Sequence, residues 1–283
     1  MNLIRVEHAT GVVFYRSPLL HAAGVPHAFS TRLGGVSAGA FATLNFGNLA
    51  GSDAPDSPEN LRENFVRLQA AIGAPGLPRA SVKQVHGRGV ELLERELEGE
   101  YGETLAAELR DRFSGQTAAD GIVSLVPGVL LAIRTADCVP ILLAGADGRA
   151  VAAVHAGWRG VVGDIVGRAV RVLGEAGVDP ARVLAAIGPC ISAAHFEVGE
   201  EVADAFVMAK LPEALQRREE WPKPHIDLQA AVRRQLERAG VSQIDGHALC
   251  TVRDADDFFS HRRDEGRTGR MIGLIAPRAA APL

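Results

Sequence analysis

Apolar positions follow two rhythms along this chain. Between residues 121 and 155 they form short continuous runs, at 121–126, 129–134, 139–144 and 150–155. Runs of that length bounded by turn residues predict strands. The third and fourth runs are joined by Ala146-Asp147-Gly148-Arg149, and Asp-Gly between apolar runs marks a hairpin. Further strands are predicted at 27–31, 81–86 (ending at His86), 183–187, 247–252 and 270–275. Elsewhere the spacing is helical. Leu61, Phe65, Leu68 and Ile72 recur behind Ser57-Pro58-Glu59, which supplies an N-cap serine, a first-turn proline and an acid at the positive dipole end; Gly73 stops the helix. A second helix is predicted at 160–173, with Ile165, Val166, Ala169, Val170 and Leu173 apolar. Two more are predicted at 198–209 and 227–239, the latter capped by Asp227 and ended by Gly240. Residues 91–113 are dense in Glu and Arg with Leu interspersed, and Gly99 and Gly102 interrupt them; they read as a helical, solvent-facing insertion. No internal repeat is present. The expected class is mixed α/β (α+β): a mixed sheet with antiparallel hairpins, flanked by helices in a single layered domain spanning 1–283, and not a doubly wound parallel sheet.

Composition narrows the function. With 283 residues, 47% of them apolar, the chain can bury a large core. Net charge is −4 and no long single-sign run occurs, so nucleic acid is not an expected partner. No uninterrupted apolar run reaches the roughly 18–20 residues of a membrane span, and Met1 to Arg16 lacks the pattern of a signal peptide. Three cysteines in separate contexts do not form a disulfide framework, which points to a reducing cytoplasm. The oligomeric state is left open.

Candidate chemistry lies in three glycine-rich turns. They hold His86 in Lys83-Gln84-Val85-His86-Gly87, Cys138 in Thr135-Ala136-Asp137-Cys138-Val139-Pro140, and His155 in Val154-His155-Ala156-Gly157-Trp158-Arg159-Gly160. Two imidazoles and a thiolate suit zinc, and three protein ligands leave a fourth position open, as catalytic zinc requires. The hairpin puts Cys138 and His155 just outside the paired ends of one ribbon, whereas His86 must arrive from another strand. Taken singly, each has a plainer reading: a hydrogen-bonded structural histidine, or a small buried cysteine. Arg32, beside Gly34-Gly35, could clamp a phosphate or be a solvated loop residue. Gln84 could touch substrate or support His86. Gly157-Trp158-Arg159-Gly160 could form an anion pocket at a helix start or simply pack a strand onto a helix. Asp137 reads as support rather than as a general base, and Asp120-Gly121 reads as a turn. His261, Arg262 and Arg263 could form a basic rim, though pairing with Asp264 is the simpler expectation. Cys190 and Cys250 read as structural. His195-Phe196-Glu197 after Pro189-Cys190 inverts the order of the zinc nucleobase deaminase signature and lacks its second cysteine, so it is set aside.

Several blocks together resemble one family. They are Phe29 to Ser37, Lys83 to Gly87, Thr135 to Leu142, Val154 to Gly160, Ile187 to Ile191, Phe196 to Gly199 and Phe258 to Gly269. In this order they resemble the multicopper polyphenol oxidase or laccase-domain proteins, also called purine nucleoside phosphorylase and peptidoglycan editing factor proteins. Two departures are His261, where tyrosine is expected, and the long stretch near 91–113. The resemblance implies that His86, Cys138 and His155 bind zinc. It also implies phosphorolysis of adenosine, inosine and methylthioadenosine, with some adenosine deamination, so a nucleoside and phosphate would be the small-molecule partners. Copper chemistry fits poorly, because multicopper sites use His-x-His pairs and this chain has none. Two rival expectations use the same residues. One is a zinc amidohydrolase that removes misincorporated serine from a peptidoglycan precursor. The other is a metal-free hydrolase with Cys138 as nucleophile. In a third, non-enzymatic expectation the zinc is structural and the chain is a binding module.

Overall fold

The computed structural model describes residues 1–48, 55–94, 109 and 113–278. Two mixed sheets lie face to face. The first has the order β1 (Ile4–Glu7), β2 (Val13–Arg16), β3 (His27–Ser30), β15 (Met271–Ile275), β8 (Leu130–Thr135), β4 (Arg79–Lys83), β6 (Ser114–Ala118). The second has the order β14 (Gln243–Asp245), β11 (Val183–Ile187), β9 (Val139–Gly145), β10 (Val151–Ala156), β7 (Gly121–Ser124), β5 (Val90–Leu93). A two-stranded ribbon pairs β12 (Leu215–Gln216) with β13 (His225–Ile226). The mixed α/β class is as expected, but the strands divide between two stacked sheets rather than one.

The continuous apolar runs follow from this stacking. Along β9, Leu142 and Ala144 face the first sheet, where they join Phe29, Leu131, Ile133 and Ile275. Their neighbours Ile141 and Leu143 face the other way and pack with Ile165, Val166, Val232 and Leu236. These come from α4 (Ile165–Glu175) and α6 (Leu228–Arg238). A strand covered on both faces needs apolar residues at every position. The outer face of the first sheet is covered by α2 (Pro58–Ala71), whose Leu68 packs with Leu130, Ile272 and Leu274.

Local signals decide several boundaries. Ser57 caps α2 by accepting from the Asn60 N–H, Asp227 caps α6 by accepting from the Ala230 N–H, and Gly73 and Gly240 follow those helices with φ of +72° and +89°. The hairpin between β9 and β10 closes on Gly148, φ +72°. Four expectations need correction. The helix expected at 160–173 is two helices, α3 (Trp158–Val162) and α4, because Asp164 turns left-handed and caps the second by accepting from the Gly167 N–H. The strand expected at 247–252 is irregular: His247 bonds the Gly188 carbonyl and the Leu249 N–H, and the Asp254 carboxylate accepts from the Cys250 N–H, so side chains replace the ladder. The strand expected to reach His86 stops at Lys83. Of the helical insertion expected at 91–113, residues 91–93 are strand, and 95–108 and 110–112 lie outside the described residues.

This topology carries the chain repeatedly from one sheet to the other at a single place. Residues 84–89 connect β4 to β5, residues 119–120 connect β6 to β7, and residues 136–138 connect β8 to β9. His86, Asp120 and Cys138 occupy these crossings.

Candidate functional site

Asp120 holds the crossings together. Its side chain is fully buried, and its carboxylate accepts from the backbone N–H groups of Val85 (3.3 Å), His86 (3.0 Å) and Gly87 (2.7 Å). That bends the segment out of strand geometry and places His86 at φ +58°, the left-handed region non-glycine residues rarely occupy. Asp120 Oδ1 also lies 2.8 Å from Nδ1 of the buried His155. A carboxylate can only accept, so Nδ1 carries a proton, and in the neutral ring the Nε2 lone pair is left free. Burial by itself would raise the Asp120 pKa; the bonds from His155 and the Gly87 N–H outweigh it and hold the carboxyl below its ordinary range. Asp120 read as a turn in the sequence. It is instead the outer carboxylate of a His site, and its signal was an acid between two apolar runs.

The three predicted ligands meet at this point. The ligand atoms of His86, Cys138 and His155 lie within 4.8 Å of one another; one ion bonded at about 2.0–2.3 Å to each in tetrahedral geometry would draw them to roughly 3.3–3.7 Å. The two imidazoles are edge to face with centroids 4.9 Å apart. Among the described residues this is the one cluster of its kind. The donor set fits a single metal ion with an open position. Burial would raise the Cys138 thiol pKa, but the charge and hydrogen bonds of His155 and His86 bring it down to about 6. His155 moves the opposite way, up to about 9, because the Cys138 and Asp120 charges outweigh its desolvation. Gly157 is required by this packing: a Cβ there would stand 2.9 Å from His86 Cδ2 and 3.3 Å from Cys138 Sγ. A Cβ at Gly160 would stand 2.9 Å from the Gly87 carbonyl oxygen. The Gly-Trp-Arg-Gly turn thus lets the His86 loop approach the five-residue α3, which is the strand-to-helix packing reading rather than an anion pocket.

The trio opens into a cavity of about 540 Å³. Trp158, Phe196, His261, Arg134, Arg159, Arg262 and Arg270 line it with the trio. Among the described residues its one lining carboxylate, Asp137, accepts from the Thr251 hydroxyl (2.6 Å) and the Arg262 N–H (2.6 Å). Asp137 therefore fastens the 250–262 loop to the crossing. Arg159 stacks on Trp158 at 4.3 Å, and Arg262 lies over Phe196 at 5.4 Å.

Other predicted residues fall differently. Arg32 does not line the cavity: its guanidinium donates to the carbonyls of Ala42 (2.9 Å) and Ala255 (3.3 Å) and lies over Phe259. Arg32 tethers two loops, so the geometry does not make it an anion clamp. Gln84 lines the cavity, but its amide donates to the Arg134 carbonyl (2.7 Å) and accepts from the Arg134 N–H (2.9 Å). Arg263 pairs with Asp264 as expected, while His261 and Arg262 reach the cavity. Cys190 and Cys250 are buried behind the site as backbone bridge partners. Sequence reasoning missed Asp120, Arg134, Arg270 and Phe196 as site residues. Arg134 had a signal, being the one charge in the apolar run 129–134.

Comparison with known proteins finds relatives over nearly the whole chain. The sequence family described as multi-copper polyphenol oxidoreductase laccase matches residues 26–278. A Deinococcus radiodurans protein named purine nucleoside phosphorylase is 41% identical over 267 residues, covering 94% of each chain. Escherichia coli purine nucleoside phosphorylase YfiH is 36% identical over 252 residues, covering 89% of this chain and 93% of its own. The crystal structure of YlmD from Geobacillus stearothermophilus superposes with a TM-score of 0.82 at 32% identity, covering 98% of this chain and all of that one.

Proposed function

This chain belongs to the multi-copper polyphenol oxidoreductase laccase family, and we propose that it acts as a zinc-dependent purine nucleoside phosphorylase on adenosine, inosine and methylthioadenosine. The observation that carries the reading is the convergence of a His-Cys-His trio, arginines and aromatic faces on one cavity. Relatives at 36–41% identity are named purine nucleoside phosphorylase. One trio with an open position suits zinc, and a single site of this kind among the described residues, without His-x-His pairs in the sequence, does not suit a multicopper cluster.

Phosphorolysis breaks the C1′–N9 bond, forms a C1′–O bond to phosphate, and returns a proton to the purine. His86, Cys138 and His155 would hold the zinc, which when bound supplies a Lewis acid and a lowered pKa for water in the open position. Asp120 keeps His155 in the tautomer whose Nε2 is free to coordinate. Phe196 and Trp158 offer ring faces to a purine, and the arginines offset the negative charge of phosphate and of the departing base. Adenosine deamination would need water rather than phosphate as the nucleophile in the same cavity, with ammonia leaving from the base. One observation favours a second reading: Cys138, His155 and Asp120 form a nucleophile–base–orienter series without metal.

The test pairs metal analysis with product chromatography on purified protein given adenosine with and without phosphate. About one zinc per chain and phosphate-dependent release of adenine with ribose 1-phosphate are expected. Zinc without nucleoside turnover would refute the phosphorylase reading and direct the assay to amide substrates.

A further inference from the structure

The cavity holds more fixed positive charge than the metal trio accounts for. Arg134 pairs with Ile272 across the antiparallel strands β8 and β15, and Arg270 lies two residues before Ile272. Both arginines thus stand at the same end of this strand pair, and both line the cavity. Among the described residues neither has a carboxylate at ion-pair distance. Arg270 donates only to the carbonyls of Thr268 (3.2 Å) and Gly269 (2.9 Å). The Arg134 side chain packs against Gly47, where a Cβ would stand 2.9 Å from its guanidinium. Gln84 fixes the Arg134 backbone at both its N–H and its carbonyl.

The Asp137 carboxylate in the same cavity attracts Arg270, but it already accepts from the Thr251 hydroxyl and the Arg262 N–H and pairs with neither arginine, so among the described residues positive charge remains in excess there. Burial lowers the pKa of both; at Arg270 the Asp137 and Cys138 charges oppose this, and the Arg134 charge adds to it. A bound anion with several acceptor oxygens offsets the excess charge and matches the planar fork of each side chain. Arg159 and Arg262 are different, because each is already stacked on an aromatic ring.

We propose that Arg134 and Arg270 form a subsite for a phosphoryl group within the cavity of the metal trio. Its assignment as a co-substrate site rests on the phosphorylase reading; its anion-binding chemistry does not. The phosphoryl group could be inorganic phosphate or one carried by the substrate, and the two sources separate experimentally.

Inorganic phosphate and, separately, adenosine 5′-monophosphate and adenosine are titrated calorimetrically into the purified, metal-loaded protein. The same titrations use Arg134→Gln, Arg270→Gln, the charge-retaining Arg134→Lys and Arg270→Lys, and Arg217→Gln. Arg217 is an exposed control paired with Glu200 away from the cavity. Each glutamine variant is expected to weaken phosphate binding roughly 10- to 100-fold, as for loss of one charged donor. The lysine variants fall between, adenosine binding changes little, and Arg217→Gln matches wild type. Binding of the monophosphate but not of inorganic phosphate, with the same loss in the glutamine variants, upholds the subsite and assigns the anion to the substrate. Unchanged binding of both anions in the glutamine variants, or no binding of either by wild type, overturns the proposal. Intact phosphate binding without phosphorolysis would instead refute the function and leave the subsite standing.

Discussion

Replacing Asp120 by Asn tests whether one buried carboxylate organises the metal centre. The side chain is fully buried, accepts from three backbone N–H groups at 2.7–3.3 Å and faces His155 Nδ1 at 2.8 Å. Asparagine keeps one acceptor oxygen and presents an NH2 group where the second oxygen stood. That NH2 must face either the Nδ1–H or the loop amides, donor against donor. At least one buried donor then loses its partner, at a cost of about 1–3 kcal/mol. The loss falls on both ligand-bearing segments, so zinc affinity should drop about 10- to 100-fold, equivalent to roughly 1.4–2.7 kcal/mol. Competition against a chromophoric chelator reads the affinity, and far-UV circular dichroism checks that the fold is retained. The carboxyl is held below its ordinary range, so its stabilisation is present above about pH 4 and is lost as pH falls through the depressed value. The difference in thermal midpoint between wild type and Asp120→Asn should therefore shrink on acidification below pH 4. Zinc affinity within twofold of wild type would refute the reasoning.

His86→Ala, Cys138→Ala or His155→Ala should each abolish stoichiometric zinc while leaving the circular dichroism spectrum near wild type, since the three apolar clusters do not include the trio; metal analysis after dialysis checks this. In metal-free protein the half-buried Cys138, with its pKa brought down to about 6, should react with iodoacetamide at a rate nearly flat above pH 7, while the buried Cys190 and Cys250 stay unlabelled and added zinc suppresses the reaction; peptide mass mapping reads each site. Gly157→Ala puts a methyl 2.9 Å from the His86 ring and should weaken zinc binding by displacing that ligand, measured by the same chelator competition. Phe196→Ala removes a ring face from the cavity and should raise KM for adenosine about 5- to 100-fold, the range for loss of one base stack, with KM for phosphate little changed in steady-state assays.

Local chemistry was legible wherever the backbone obeys neighbouring residues. The Ser57 and Asp227 caps, the stops at Gly73 and Gly240, the Asp147-Gly148 hairpin and the 183–187 strand stand where the sequence puts them. Errors arose where distant side chains override local preference. Asp120 gathers amides some 33–35 positions away and ends the strand before His86. His247 and Asp254 hold 247–252 out of a ladder. Arg32 looked like an anion clamp because it stands by two glycines, yet its guanidinium is taken up by the Ala42 and Ala255 carbonyls.

Periodicity and turn chemistry were enough for the mixed α/β class, and the hairpin register was enough to bring Cys138 to His155, because these follow from contacts a few residues long. The residues that hold the site in shape could not be read that way. His86 joins the other two ligands only because the chain changes sheets beside them. Arg134 and Arg270 reach one cavity only because β8 pairs with β15, more than a hundred positions on. Strand pairing of that kind is selected by burial over the whole core, so the trio's composition is local, whereas its geometry, its carboxylate support and its charged wall belong to the assembled fold.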